Sequence, residues 1–308
     1  MTAPQATSAA PDRVRLADVV RVLDALYPPH TAESWDAVGL VAGDPEQPVS
    51  RVLFAVDPVE AVLDEAVEWA ADLLVTHHPL LLRGVHSVAA TTFKGAFLHR
   101  AIRRGVAVYT AHTNADAARG GVAEALAELV GVVGGEPLVP ADARDHTLPA
   151  IGIGRVGRLE APVPLRAFAE RVAAVLPATA QGVRVAGDLD AVVERVAVVG
   201  GAGDSLFDAV RSSGADVYLT ADLRHHPASE LRERAEHEAR AAGRDPGDAR
   251  PFLVDVAHFA SEWPWLAHAA RDLVRLLGET GGASGAGKLD VRVSTRPTDP
   301  WTARFPSP

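Results

Sequence analysis

The chain has 308 residues, 48% of them hydrophobic and 23% charged, with a formal net charge of -10 and no cysteine. That length suits two domains, or one large α/β domain, with ample core material, while the acidic balance argues against a general nucleic-acid binder, whose phosphate contacts need clustered Lys and Arg. Without cysteine there are no disulfides, thiolate zinc sites or thiol nucleophiles, so any metal must rely on imidazole, carboxylate and water.

The N-terminal stretch 1–12 reads as an Ala/Pro/Ser-rich flexible leader without the basic and apolar regions of a signal peptide. No apolar run is long enough for a bilayer span, so the expectation is a cytoplasmic protein without membrane contact. Helical spacing of Leu16, Val19, Val20, Leu23 and Leu26 predicts a helix that Pro28-Pro29 ends. Glu33 to Leu40 reads as a loop in which Glu33 and Asp36 flank Trp35. Its plain reading is a buried Trp with solvated acids, and its functional one an aromatic pocket wall. A strand over Arg51–Val56 and a helix over Val59–Ala70 follow.

The next strand, Leu73 to Val75, stops at Thr76-His77-His78-Pro79. Proline lacks an amide hydrogen and biases the residue before it toward extended geometry, so the imidazoles fall at the strand's C-terminal edge. Ligands of open α/β sheets bind at that edge. Side chains alternate along an extended chain, so the pair serves one metal only where the chain turns, and otherwise two. The competing reading is one satisfied core histidine and one exposed.

A helix over Phe93–Arg104, capped by Gly105, leads to a strand over Val106–Ala111 and then to His112-Thr113-Asn114-Ala115-Asp116, read as a loop. This β-α-β-α-β order implies a parallel sheet with right-handed crossovers. A helix over Val122–Val130 closes the first half, and a Gly/Pro-rich connector, 131–149, follows. Beyond it come a strand over Ile151–Arg158, a helix over Leu165–Leu176, a short strand over Val183–Val185 and another at Arg195–Gly201.

The second half echoes the first. Arg51 and Arg195 (195 − 51 = 144), Asp72 and Asp216, and Thr76 and Thr220 all share one offset. After a short insertion the second copy also delivers His225-His226-Pro227. Ala111-His112 with Asp116 then resembles Ala257-His258 with Glu262, where 258 − 112 and 262 − 116 are both 146. The fold class expected is α/β, two similar lobes over 13–135 and 150–290 related by a pseudo-twofold axis, with a metal site in the cleft between them. Candidate ligands are His77, His78, His112, Asp116, His225, His226, His258 and Glu262. Neighbouring divalent ions need bridging anions, a role for Asp116 and Glu262, one from each half. Ser261-Glu262 reads as a helix opening, with Pro264 in its first turn and Leu266–Leu277 beyond. His237–Arg250 reads as a solvated loop, 281–287 as a flexible linker and 291–308 as a flexible tail.

These motifs, taken in order, resemble the Nif-three-like proteins, also called GTP cyclohydrolase type 2 homologues, from about Leu16 to Leu277. They are Trp35-Asp36-x-Val38-Gly39-Leu40, Thr76-His77-His78-Pro79-Leu80, His112-Thr113-Asn114-x-Asp116 with Gly120-Gly121, Thr220-x-Asp222 with His225-His226, and Asp255-x-x-His258 with Ser261-Glu262. The resemblance implies two metal ions per chain (zinc, iron, manganese or nickel) held by His77, His78, Asp116, His258 and Glu262. It leaves His112, His225, His226 and Asp36 to orient ligands or move protons, and Trp35 and Glu33 to face a substrate. It also implies a homohexameric ring. Ala37, Ala115 and Ala221 depart from the family's usual asparagine, leucine and glycine, which bears on the pocket and not on the ligands. The function expected is a metal-dependent hydrolase acting on a nucleotide or phosphorylated small molecule. The alternative is a non-catalytic metal carrier or hexameric scaffold.

Overall fold

The computed structural model describes residues 14–141, 150–280 and 289–305, so the leader at 1–12, the linker at 281–287 and much of the connector lie outside the described residues. The chain divides into two compact units. Unit 1 takes residues 14–29, 35–111, 270–280 and 289–295, and unit 2 takes 30–34, 112–269 and 296–305. The boundary therefore does not run through the connector: after the short excursion at 30–34, the chain passes into unit 2 at His112 and back to unit 1 at Ala270.

Unit 1 opens with helix α1 (Leu16–Leu26), whose buried Leu16, Val19, Val22 and Leu23 recur at helical spacing. Strand β1 (Gly39–Ala42) follows, in a segment read from sequence as loop. Then come β2 (Arg51–Ala55), α2 (Glu60–Glu68), β3 (Leu73–Thr76), α3 (Phe93–Arg103) and β4 (Ala107–Thr110). Strands β2, β3 and β4 pair in parallel as expected, while β1 lies antiparallel on β4. All four residues of β3 and of β4 are buried, as an apolar run covered on both faces requires. Leu53, Leu74 and Val108 pack with Val62 and Leu63 of α2 and Phe97 and Leu98 of α3.

Unit 2 begins with α4 (Thr113–Ala117), helical where a loop is expected, and α5 (Val122–Leu129). The connector is less bare than its composition suggests, because it supplies β5 (Val132–Glu136) and β6 (Val139–Pro140). Beyond it lie β7 (Gly152–Ile153), β8 (Arg155–Pro164), α6 (Leu165–Val175), β9 (Arg184–Ala186), β10 (Val192–Ala202), α7 (Phe207–Ser213) and β11 (Val217–Ala221). Helix α8 (His225–Ala241) extends into the stretch from His237 that reads as loop, and β12 (Phe252–Val256) follows. Helix α9 (His258–Thr280) opens at His258, three residues before the predicted Ser261 start, which places Pro264 in its second turn. The sheet runs β5-β8-β10-β11-β12-β9, with β10, β11 and β12 parallel. Val196 and Val198 of β10 face a core with Leu126, Phe168 and Val172, and the alternate Ala197 and Val199 face Val210 and Leu231. Period-two alternation thus places helices on both faces.

The chain ends its return to unit 1 with β13 (Asp290–Val293), which pairs in parallel with β2. Residues 291–293 are therefore an edge strand and not a flexible tail. A four-residue strand whose burial alternates between exposed and intermediate carries too little pattern to announce itself.

The duplication is visible inside each unit. Asp72 Oδ2 accepts from the amides of Ser50 and Arg51 at 2.7 and 2.9 Å. Asp216 Oδ2 accepts from Glu194 and Arg195, at the same 144-residue offset, at 2.9 and 2.8 Å. Arg51 donates to the Trp69 carbonyl and Arg195 to that of Ser213, again 144 residues on.

Candidate metal centre

In unit 1, β3 ends at Thr76 and the chain bends at His77 and His78. The bend resolves the alternation problem: the two rings lie 5.1 Å apart, centre to centre, at 47°. His77 is 1% exposed and its Nδ1 lies 3.0 Å from the Ala111 carbonyl. His78 is partly exposed, with Nδ1 2.7 Å from Asp57 Oδ1. A carbonyl only accepts, so Nδ1 of His77 donates, and Asp57 Oδ1 takes the same ring nitrogen of His78. Thr76 Oγ1 donates to the His78 carbonyl at 2.8 Å and fixes the bend.

In unit 2, α9 starts at the carboxyl end of β12. His258 and Glu262 are one turn apart on its first face, with Nε2 to Oε1 at 2.9 Å. Glu262 is 3% exposed. The other ring nitrogen of His258 meets Asp222 Oδ2 at 2.7 Å. Asp222 follows β11 directly and holds a left-handed backbone, φ 55°. Its neighbour Leu223 donates to Asp255 Oδ1 at 2.9 Å, and Asp255 also takes Gln181 and Arg184.

The C-terminal end of β10 runs close beneath this pair. Gly201 has φ +69°, and a Cβ there would lie 2.7 Å from Glu262 Oε1 and 3.3 Å from His258 Nε2. Its amide donates to Ser261 Oγ at 2.8 Å, and Ser261 Oγ donates to the His258 carbonyl at 2.7 Å. Gly201 is thus a demand of close approach.

His77 with His78, and His258 with Glu262, belong to groups of side chains that could hold a metal ion. Asp116 sits half-buried on α4, its amide 3.1 Å from the His112 carbonyl. His112 caps α4, with its amide on Asn114 Oδ1 at 2.8 Å. Asp116 and Glu262, expected one from each half, both fall in unit 2.

Other predicted residues fare differently. His225 and His226 are exposed at the start of α8, four and five residues past the end of β11, so they do not repeat the His77-His78 position. The 144 offset instead sets Asp222 against His78 (222 − 78 = 144). Trp35 is 57% exposed, against the plain reading of a buried ring. Glu33 is exposed, and its amide donates to Thr113 Oγ1 at 2.9 Å. Asp36 turns back on the amide of Ala37. Asp57 and Asp222 were missed as ring-holding carboxylates; the duplication offset carried the signal for Asp222.

A separate 340 Å³ cavity in unit 2 is lined by Arg184, Arg224, His225, Arg232 and Asp255 among others. It is electrically balanced, since Arg184 pairs with Asp255, Arg224 with Asp204 and Arg232 with Glu236. Among the described residues no helix is long and apolar enough to cross a membrane.

The fold and these groupings define a two-unit α/β protein with His/carboxylate clusters suited to a metal. Residues 14–284 match the Duf34/NIF3 (NGG1p interacting factor 3) family, and the chain belongs to it. It is 52% identical over 295 residues to the GTP cyclohydrolase 1 type 2 homolog of Streptomyces coelicolor, covering 95% of each chain. The homolog of that name from Mycobacterium tuberculosis is 39% identical over 390 aligned positions, covering 94% of this chain and 97% of its own. That alignment exceeds 308 residues, so the mycobacterial relative carries inserted residues. Among solved structures, a Bacillus cereus protein related to NIF3 superposes with a TM-score of 0.78 at 23% identity, covering 94% of this chain and 99% of its own. A Staphylococcus aureus hypothetical protein gives 0.75 at 27%, covering 95% and 100%.

Proposed function

We propose that this chain is a dinuclear metalloprotein in which His77, His78, Asp116, His258 and Glu262 hold two divalent ions, and that it works as a metal-dependent hydrolase. The observation that carries this reading is shared by three imidazoles. His77, His78 and His258 each engage Nδ1 with an oxygen acceptor, namely the Ala111 carbonyl, Asp57 and Asp222. Imidazoles held through one nitrogen in this way offer the other to a metal. Both nitrogens of His258 face carboxylate oxygens, at 2.7 and 2.9 Å, so a cation fits beside Nε2 in place of a proton.

Bound ions supply Lewis acidity and acidify water near neutral pH. The chain's own groups do the rest. Asp57, Asp222 and the Ala111 carbonyl fix ring orientation. Asp36, His112, His225 and His226 are the candidates for proton transfer, and exposed Trp35 offers a face on which a heterocycle can stack, with Glu33 nearby in sequence. The relatives' name supplies GTP as the first substrate to test, with other nucleotides and phosphate esters beside it. Assembly as a homohexamer belongs to the same reading, and light scattering on the purified protein tests it.

The deciding experiment loads the metal-stripped chain with zinc, manganese, iron or nickel and screens these substrates against Glu262→Ala. Metal-dependent turnover lost in Glu262→Ala supports the hydrolase. Inactivity of the loaded wild type, with metal passed to an acceptor chelator protein, supports a carrier and overturns it.

A further inference from the structure

Arg155 is a buried cation outside the ligand set. It is 3% exposed at the first position of β8, and both terminal nitrogens of its guanidinium donate within unit 2. Nη1 donates to the carbonyls of Gly152 and Gly154 at 2.8 and 2.7 Å. Nη2 donates to the carbonyl of Ala118 at 2.9 Å and to Glu124 Oε2 at 3.3 Å. The same Glu124 oxygen accepts from the amide of Gly120 at 3.1 Å. Burial pushes the guanidinium below its ordinary pKa, and Glu124 pulls it back. Taking an arginine out of water is costly, and the position deserves a function beyond filling space.

What the clamp holds is the turn between α4 and α5. Helix α4 has five residues, too few to persist alone, so its position depends on what grips its ends. At the front, Thr113 Oγ1 takes the Glu33 amide and Asn114 Oδ1 takes the His112 amide. At the back, the carbonyl of Ala118 and the amide of Gly120 are both tied to the Arg155–Glu124 pair. Gly121 seals the junction: a Cβ there would lie 2.0 Å from the Ala115 carbonyl oxygen and 2.8 Å from that of Ala118. Asp116 lies between these two grips, two residues before Ala118.

We infer that Arg155, with Glu124, is a positioning residue for Asp116, setting the carboxylate where a metal can take it. This rests on the metal reading above. A buried staple that only stabilised unit 2 would change the melting temperature and leave metal affinity alone. A positioning residue changes affinity through Asp116.

The test is calorimetric titration of zinc into the metal-stripped protein, with melting of the metal-free form alongside. Arg155→Met is expected to weaken zinc about 10–100-fold, as loss of a ligand-orienting group does. Arg155→Lys should recover part of that loss by restoring the charge. Val172→Ala, in the α6 core, should lower the melting temperature without weakening zinc. In an Asp116→Asn background, Arg155→Met should cost less than about twofold more, because the residue it positions is already disabled. Should Arg155→Met fail to fold, Glu124→Gln, which leaves the arginine in place, is expected to weaken zinc in the same direction. Wild-type zinc affinity in Arg155→Met (or in Glu124→Gln where Arg155→Met does not fold), or an undiminished effect in the Asp116→Asn background, would overturn the inference alone. A wild type that takes up no divalent metal overturns the metal reading and this inference with it.

Discussion

Asp222 and His258 lie 36 residues apart in the chain and meet at 2.7 Å, carboxylate oxygen to Nδ1. The contact is built from a left-handed residue at the end of β11 and the first residue of α9, with Asp255 holding the intervening backbone through Leu223. Asp57 stands in the same relation to His78 in the other unit, also at 2.7 Å. Asp222→Asn and Asp57→Asn are each expected to raise the dissociation constant for a divalent ion about 10–100-fold while the fold persists. Competition with a chelating dye measures it, and unchanged affinity in both variants would make these carboxylates incidental.

Gly201 and Gly214 share the same φ, +69°, but not the same surroundings. A side chain at Gly214 meets nothing within 4 Å, whereas one at Gly201 collides with Glu262 at 2.7 Å. Gly214→Ala should therefore cost only the left-handed strain, about 1–2 kcal/mol, and keep full metal content. Gly201→Ala should lose stability by at least as much and also lose metal, because Glu262 must move. Urea unfolding with elemental analysis of both variants checks the contrast; full metal content in Gly201→Ala contradicts it.

Asp72 holds the start of β2, and Asp216 the stretch of β10 just before its parallel pairing with β11, each by two amide hydrogen bonds to one carboxylate oxygen. Hydrogen bonds to charged groups contribute about 1.5–3 kcal/mol, so Asp72→Ala and Asp216→Ala should destabilise by similar amounts in that range. Denaturant titration gives the two values, and a large inequality between them would show that the repeated geometry is not repeated energetically.

Much of the fold was legible because it is local. Buried strands such as Leu73–Thr76 announce themselves by an unbroken apolar run, and α1 by the spacing of Leu16, Val19 and Leu23. Edge strands do not. Gly39–Ala42 and Asp290–Val293 are strands only because β4 and β2 offer hydrogen bonds to them, and those partners lie far along the chain. Helix α4 likewise looked like loop, since five residues owe their shape to the contacts at their ends.

The candidate site divides the same way. The order of residues alone placed His77 and His78 at a strand end, set Glu262 at a helix opening four residues past His258, and exposed the 144-residue repeat. Tertiary structure decided which oxygen each imidazole faces, that the chain bends to bring the His77 and His78 rings within 5.1 Å, and that His225 and His226 stand exposed at a helix start. Spacing along a chain fixes neighbours within a turn of helix or a step of strand, while contacts across tens of residues depend on how the elements pack, which short-range pattern does not encode.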